Sequence, residues 1–241
     1  MTDTELTALL MLTTAASFTP GPNTTLSTAL AANRGLRGAL HFVCAVPVGW
    51  GALFVLCAAG VGAMVVAVPL LRWGIQGCGL AYLLWLASRL ARRPTRQAND
   101  ASTRHSSASA LAPTNECLAQ DAQDPSPNVT FWQGVALQFL NIKAWMLALA
   151  VVAGWIAGRP DATERTLQIL PLMVAFGFVS NLLYAMVGSL LRHWLAGPVV
   201  HGVATGNRLL AFNRIMAGVL VLTAIWMGAS ALGLSSTGVA T

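Results

Sequence analysis

The chain has 241 residues, of which 56% are hydrophobic and 9% charged, with a net charge of +6. A soluble domain carries roughly a quarter charged residues, so this composition excludes an ordinary soluble enzyme and indicates an all-α polytopic membrane protein. The positive balance does not point to nucleic acid, because the basic residues sort by membrane side instead of forming one patch.

Six apolar runs, 6–32, 40–66, 71–90, 131–156, 167–191 and 209–232, each reach the ~20 residues needed to span a bilayer. The first is preceded by Asp3 and Glu5 with no Lys or Arg, and is too long for a signal-peptide core, so it reads as a retained helix. Inside it stands Thr19-Pro20-Gly21-Pro22-Asn23. Each proline lacks an N–H, which predicts carbonyls freed at Ala16 and Phe18. Broken backbone at membrane depth survives only against protein or around a water-filled cavity. The stretch is therefore either a proline kink satisfied by neighbouring helices or part of a binding site.

The second and third runs hold isolated cysteines, Cys44, Cys57 and Cys78, and a fourth, Cys117, follows. No CxxC pair occurs, so they read as packing residues, and no metal or other cofactor is expected. His41, His193 and His201 stand near helix ends and receive no proton role. A linker over 91–129, rich in Ser, Ala, Arg, Asn and Pro, is expected to be loosely folded. It divides the chain into 1–90 and 130–241, two groups of three helices. With an odd number in each, the halves must enter the membrane in opposite directions, as in inverted-repeat transporters.

The fourth run carries Phe139-Leu140-Asn141-Ile142-Lys143, a counterpart to the first break. Ten residues lead from Asn23 to Asn33 and twelve from Phe131 to Lys143. At ~1.5 Å per residue, both motifs fall roughly 15 to 18 Å from the inner end, about halfway through a ~30 Å core. Lys143 is the one formal charge placed deep in the membrane; no Asp or Glu lies in any of the six runs, and all eight acids lie in tails or loops. A midplane charge costs at least ~2.5 to 3.5 kcal/mol on insertion scales, so its counter-charge is expected from a ligand anion, or its ammonium bonds the carbonyls freed by the prolines. Asn23 and Asn141 can both donate and accept, as the two ends of a zwitterion require, or they bond between helices. Gln138, Asn141 and Trp145 share a face, whereas Lys143 lies about 200° from Asn141 on a regular helix. Either the helix unwinds there or the two face different neighbours.

On the fifth run Gly177, Asn181, Tyr184 and Gly188 form a small and polar stripe, a packing seam or a pathway lining. Gly154 and Gly158 form a small-xxx-small pair compatible with a homodimer. Ten basic residues, among them Arg34, Arg37, Arg89, Arg192, Arg208 and Arg214, fall on one side, against Arg72, Arg159 and Arg165 on the other. The positive-inside rule then places both termini outside.

Phe18-Thr19-Pro20-Gly21-Pro22-Asn23 and Asn33-Arg34-Gly35-Leu36-Arg37-Gly38 resemble the opening signature of the lysine-exporter (LysE/RhtB) family of bacterial amino-acid efflux proteins. Gly79-Leu80-Ala81-Tyr82-Leu83, Phe131-Trp132-Gln133-Gly134 through Lys143, and Asn213-Arg214 agree with it. The resemblance implies an inner-membrane, proton-driven exporter. Where most members have Asn-Pro-Lys this chain has Asn141-Ile142-Lys143, which predicts a milder second break. Where the branch exporting basic amino acids has an acid, this chain has Leu147, which favours neutral amino acids or derivatives: hydroxylated, branched or cysteine-like. The expected substrate site comprises Pro20, Gly21, Pro22, Asn23, Asn141, Lys143, Asn181 and Tyr184. A membrane thiol-redox relay is the alternative, but Cys44 and Cys57 share one helix about 20 Å apart by helix rise. A cation exporter would want carboxylates or thiolates at midplane. An enzyme is not indicated, since no paired acids or nucleophile–base set is visible.

Overall fold

The computed structural model describes residues 1–91, 129–196, 199–200, 203–204 and 207–231. The predicted linker, with Cys117, falls outside them except for Ala91 and Val129, as does His201. The helices are α1 (Asp3–Phe18), α2 (Pro22–Ala58), α3 (Val61–Ala67), α4 (Pro69–Ala91), α5 (Phe131–Leu140), α6 (Ile142–Val151), α7 (Ala162–Ala196) and α8 (Asn207–Ala231). A π-helical turn, Val152–Ile156, extends α6, and a two-residue antiparallel pair, Val199–Val200 with Val203–Ala204, precedes α8.

The helices that carry the two breaks start alike. At α1 the Thr2 hydroxyl accepts from the Glu5 N–H at 3.2 Å while the Glu5 carboxylate accepts from the Thr2 N–H at 3.0 Å. At α5, Thr130 and Gln133 repeat that reciprocal cap at 3.3 and 3.0 Å. Each cap satisfies helix-end donors that otherwise have no intrahelical partner.

A straight 37-residue helix would be about 55 Å long, yet residues 22–24 at the start of α2 line the same cavity as residues 46–50. The chain therefore folds back between them. It does so at Gly35, whose φ of 76° lies in the left-handed region open chiefly to glycine. A Cβ there would stand 2.7 Å from a guanidinium nitrogen of Arg192, the mobile end of its side chain, so the positive φ is what asks for glycine. The predicted first run is thus α1 plus the opening of α2, and the second is the rest of α2 plus α3.

Three stretches are long and apolar enough to cross a membrane, Pro22–Ala58, Ala162–Arg192 and Arg208–Trp226, and the bent pair α5–α6 makes a fourth if it is one span. α1 alone, at 16 residues and about 24 Å, falls short of a ~30 Å core. The chain is an all-α polytopic membrane protein. α2 packs chiefly on α7 and also on α5, and α4 packs on α8. One buried cluster gathers Leu30, Phe42, Leu86, Leu137 and Leu220, and another gathers Leu9, Trp50, Phe54, Trp145 and Ile169.

Two features hold α1 at its Glu5 end. Trp155 donates its indole N–H to the Glu5 carbonyl at 3.0 Å, and the Glu5 carboxylate accepts from Arg159 and Arg165, each at 3.1 Å. The Thr2 N–H and the Arg165 guanidinium hold this carboxyl below the ordinary glutamate range. Asp161, paired with Arg165 at 2.7 Å, is lowered for the same reason. Gly158 lies beyond the π-turn with φ 72°, so Gly154 and Gly158 do not share one helical face.

Candidate functional site

The first break lies between Phe18 and Pro22, where α1 ends and α2 begins. Pro20 and Pro22 withhold the N–H groups that would continue α1, and the carbonyls around them find side-chain donors from elsewhere. The Ser17 carbonyl accepts from the Ser180 hydroxyl, and the Phe18 carbonyl from the Tyr184 hydroxyl at 3.0 Å. Ser180 and Tyr184 stand one turn apart on α7. The Thr19 carbonyl accepts from the Lys143 ammonium at 2.8 Å. A helix C-terminus carries partial negative charge, so it is a fitting seat for the one cation expected deep in the membrane. Neighbouring helices thus satisfy the carbonyls of the break, and two of those residues, Ser17 and Thr19, also line a cavity.

The second break is a single non-helical residue, Asn141, against three in the first, and it still bends the α5–α6 pair by 66°. In residue count it is the milder break; its bend is a full change of direction. Asn141 caps α6 by accepting the Lys143 N–H at 3.1 Å. Trp145 donates its indole N–H back to the Phe139 carbonyl at 2.8 Å, closing the end of α5. Asn141 is therefore not on a helical wheel with Lys143, which resolves the conflict in their predicted directions. The neighbouring Leu140 carbonyl lies so close to α4 that a Cβ on Gly79 would be 2.0 Å from its oxygen.

A reciprocal amide pair joins the breaks. Asn23 donates to Gln138 at 2.8 Å and Gln138 donates back at 3.2 Å. Asn23 thus partners Gln138, and Asn141 serves its own helix. Thr24, through its hydroxyl and Gly21, caps the start of α2. Asn181 accepts from the Ser27 hydroxyl at 3.0 Å and donates to the Gly177 carbonyl at 2.8 Å.

These residues surround a cavity that is open at its mouth. Gly21, Pro22, Asn23, Asn141, Lys143 and Asn181 line it; Pro20 and Tyr184 do not, and act on the break from behind. The predicted stripe on α7 divides accordingly: Gly177 and Asn181 face the cavity, Tyr184 holds Phe18, and Gly188 packs so tightly that a Cβ would be 2.2 Å from the Thr28 carbonyl oxygen. No Asp or Glu stands among the described lining residues, and the rest of the wall is largely apolar, with Val46, Trp50, Leu147 and Met173. Gln138, Ser180 and Trp50 were absent from the expected site. Gln138 was legible only as an amide near Asn141, whereas Ser180 and Trp50 gave no signal of their own.

The family model described as LysE type translocator matches residues 14–213, a span that includes both breaks, the cavity and α4. The chain belongs to that family. The match runs from within α1 to Asn213 in α8, which exchanges a reciprocal amide pair with Asn33 at 2.8 and 3.1 Å; the two ends of the resemblance signature thereby meet. Among curated relatives, the cysteine/O-acetylserine efflux proteins of Escherichia coli K12 and Shigella sonnei Ss046 are each 26% identical over 196 residues, covering 80% of this chain and 86% of the relative. No solved structure matches.

Proposed function

We propose that this LysE-family chain exports small neutral amino acids or close derivatives across the bacterial inner membrane, by alternating access between two inverted three-helix halves with both termini outside. The observation that carries the reading is the Lys143 ammonium seated on the Thr19 carbonyl in a cavity without a carboxylate among its described lining residues. A zwitterion can enter that contact by exchange. Its carboxylate takes Lys143 and the free N–H groups at the start of α2, where the helix dipole favours an anion. Its ammonium takes the Thr19 carbonyl that Lys143 leaves, together with the carbonyl at Ala16 that Pro20 cannot pair. Leu147 offers nothing to a second ammonium, which supports neutral cargo. The efflux proteins named above, which carry cysteine and O-acetylserine, support the same class. Coupling to the proton gradient is part of the proposal, drawn from the family resemblance. The homodimer has no helical seam at Gly154 and Gly158 to rest on and is left out of the proposal.

The test is efflux from proteoliposomes holding the full chain and a panel of neutral amino acids. Faster release than from protein-free liposomes is expected, with at least tenfold loss in Lys143→Ala. Release of no amino acid, or an unaffected Lys143→Ala, overturns the reading.

A further inference from the structure

Two inward tryptophans have acceptors for their indole N–H: Trp145 bonds the Phe139 carbonyl and Trp155 the Glu5 carbonyl. Trp50 does not. It is 8% exposed, it lines the cavity, and its Nε1 is buried with no hydrogen-bond partner. An indole N–H only donates, and native structures rarely leave a buried donor unmet. The ring is not free to turn elsewhere, because it stacks on Phe54 with centroids 5.1 Å apart and packs in the cluster of Leu53 and Ile169.

The surroundings say what kind of acceptor is missing. Val46 and Pro47 precede Trp50 on the same face of α2, and Leu147, Met173 and Val174 close that part of the wall. All five side chains are without a strong acceptor. Lys143 and the start of α2 already offer donors for a carboxylate, and Trp50, with its N–H unmet, belongs to the apolar part of the same cavity wall.

We propose that Trp50 is a specificity-determining residue: its N–H selects amino acids whose side chain carries an accepting oxygen, hydroxyl or acyl, over hydrocarbon side chains of the same shape. The inference rests on the amino-acid export reading above. A thiol sulfur accepts weakly and ranks between the two.

Threonine and valine test it, since they share a shape and differ by a hydroxyl for a methyl. In proteoliposomes of the full chain, wild type is expected to carry threonine with kcat/KM about fivefold to tenfold above valine, the worth of one hydrogen bond. Trp50→Phe keeps an aromatic side chain while removing the N–H and is expected to bring the ratio to about one. Equal transport of the two by wild type overturns the proposal and leaves the export reading standing. So does a Trp50→Phe protein that keeps the ratio or slows both amino acids alike. Transport of neither by wild type overturns this proposal, and failure across the whole neutral panel removes the export reading as well. The wild-type ratio needs no substitution, so misfolding of the variant does not shield the idea.

Discussion

Lys143, in the first turn of α6, donates to the Thr19 carbonyl at the start of the first break across 2.8 Å and 124 residues of sequence. The contact joins a cation that hydrocarbon disfavours to a backbone carbonyl beside two prolines that cannot donate to the preceding turn. Each solves the other's problem, and under the export reading proposed above a zwitterion that displaces the contact takes up both groups.

Ser180 and Tyr184 supply the matching donors for Ser17 and Phe18. Ser180→Ala and Tyr184→Phe each remove one interhelical hydrogen bond, worth about 0.6 to 1.7 kcal/mol in a membrane protein. Thermal unfolding in detergent should show both variants destabilised by that order, with the double variant worse than either. Equal stability of Tyr184→Phe and wild type would contradict the role given to the phenol.

Gly79 and Gly77 lie on one helix and should behave oppositely. A Cβ at Gly79 meets the Leu140 carbonyl oxygen at 2.0 Å, whereas one at Gly77 meets nothing within 4 Å. Gly79→Ala must push α4 off the second break and should cost more than about 2 kcal/mol, a typical overpacking penalty being 1 to 3. Gly77→Ala should be neutral or gain up to about 1 kcal/mol from helix propensity. Melting temperatures of the two variants, compared in the same detergent, decide it.

The Asn23–Gln138 pair should appear as coupling. In a double-mutant cycle with Asn23→Ala and Gln138→Ala, the interaction energy is expected at about 0.5 to 2 kcal/mol. Strict additivity would mean that the reciprocal amide bonds do not join the breaks energetically.

Acid should loosen α1 at its start. Glu5 has its carboxyl lowered by the Thr2 N–H and Arg165. A lowered carboxyl stabilises the fold above its unfolded value and loses that contribution as pH falls through its folded value. The loss is therefore confined to pH below about 4.3, the ordinary glutamate value. Hydrogen-exchange protection at the start of α1, taken relative to the intrinsic rate at each pH, should fall on acidification across that range in wild type, and the fall should be smaller in Glu5→Gln.

Much of this protein was open to reading from its residues because the features concerned are local. A proline lacks its N–H wherever it stands, a membrane run is recognised by length and composition, and Lys143 is a lone charge whatever surrounds it. The helical class and the pairing of the two breaks followed from these properties, and the family from the resemblance of the motifs around them. Partner choice did not, because it depends on helix directions that emerge only on packing. The 66° bend at Asn141 turned Asn141 into a cap and sent Lys143 to Thr19, and the fold-back at Gly35 brought Trp50 to the cavity opened at Gly21. Sequence determined which groups would need partners; the tertiary structure decided which found one and left the Trp50 N–H without.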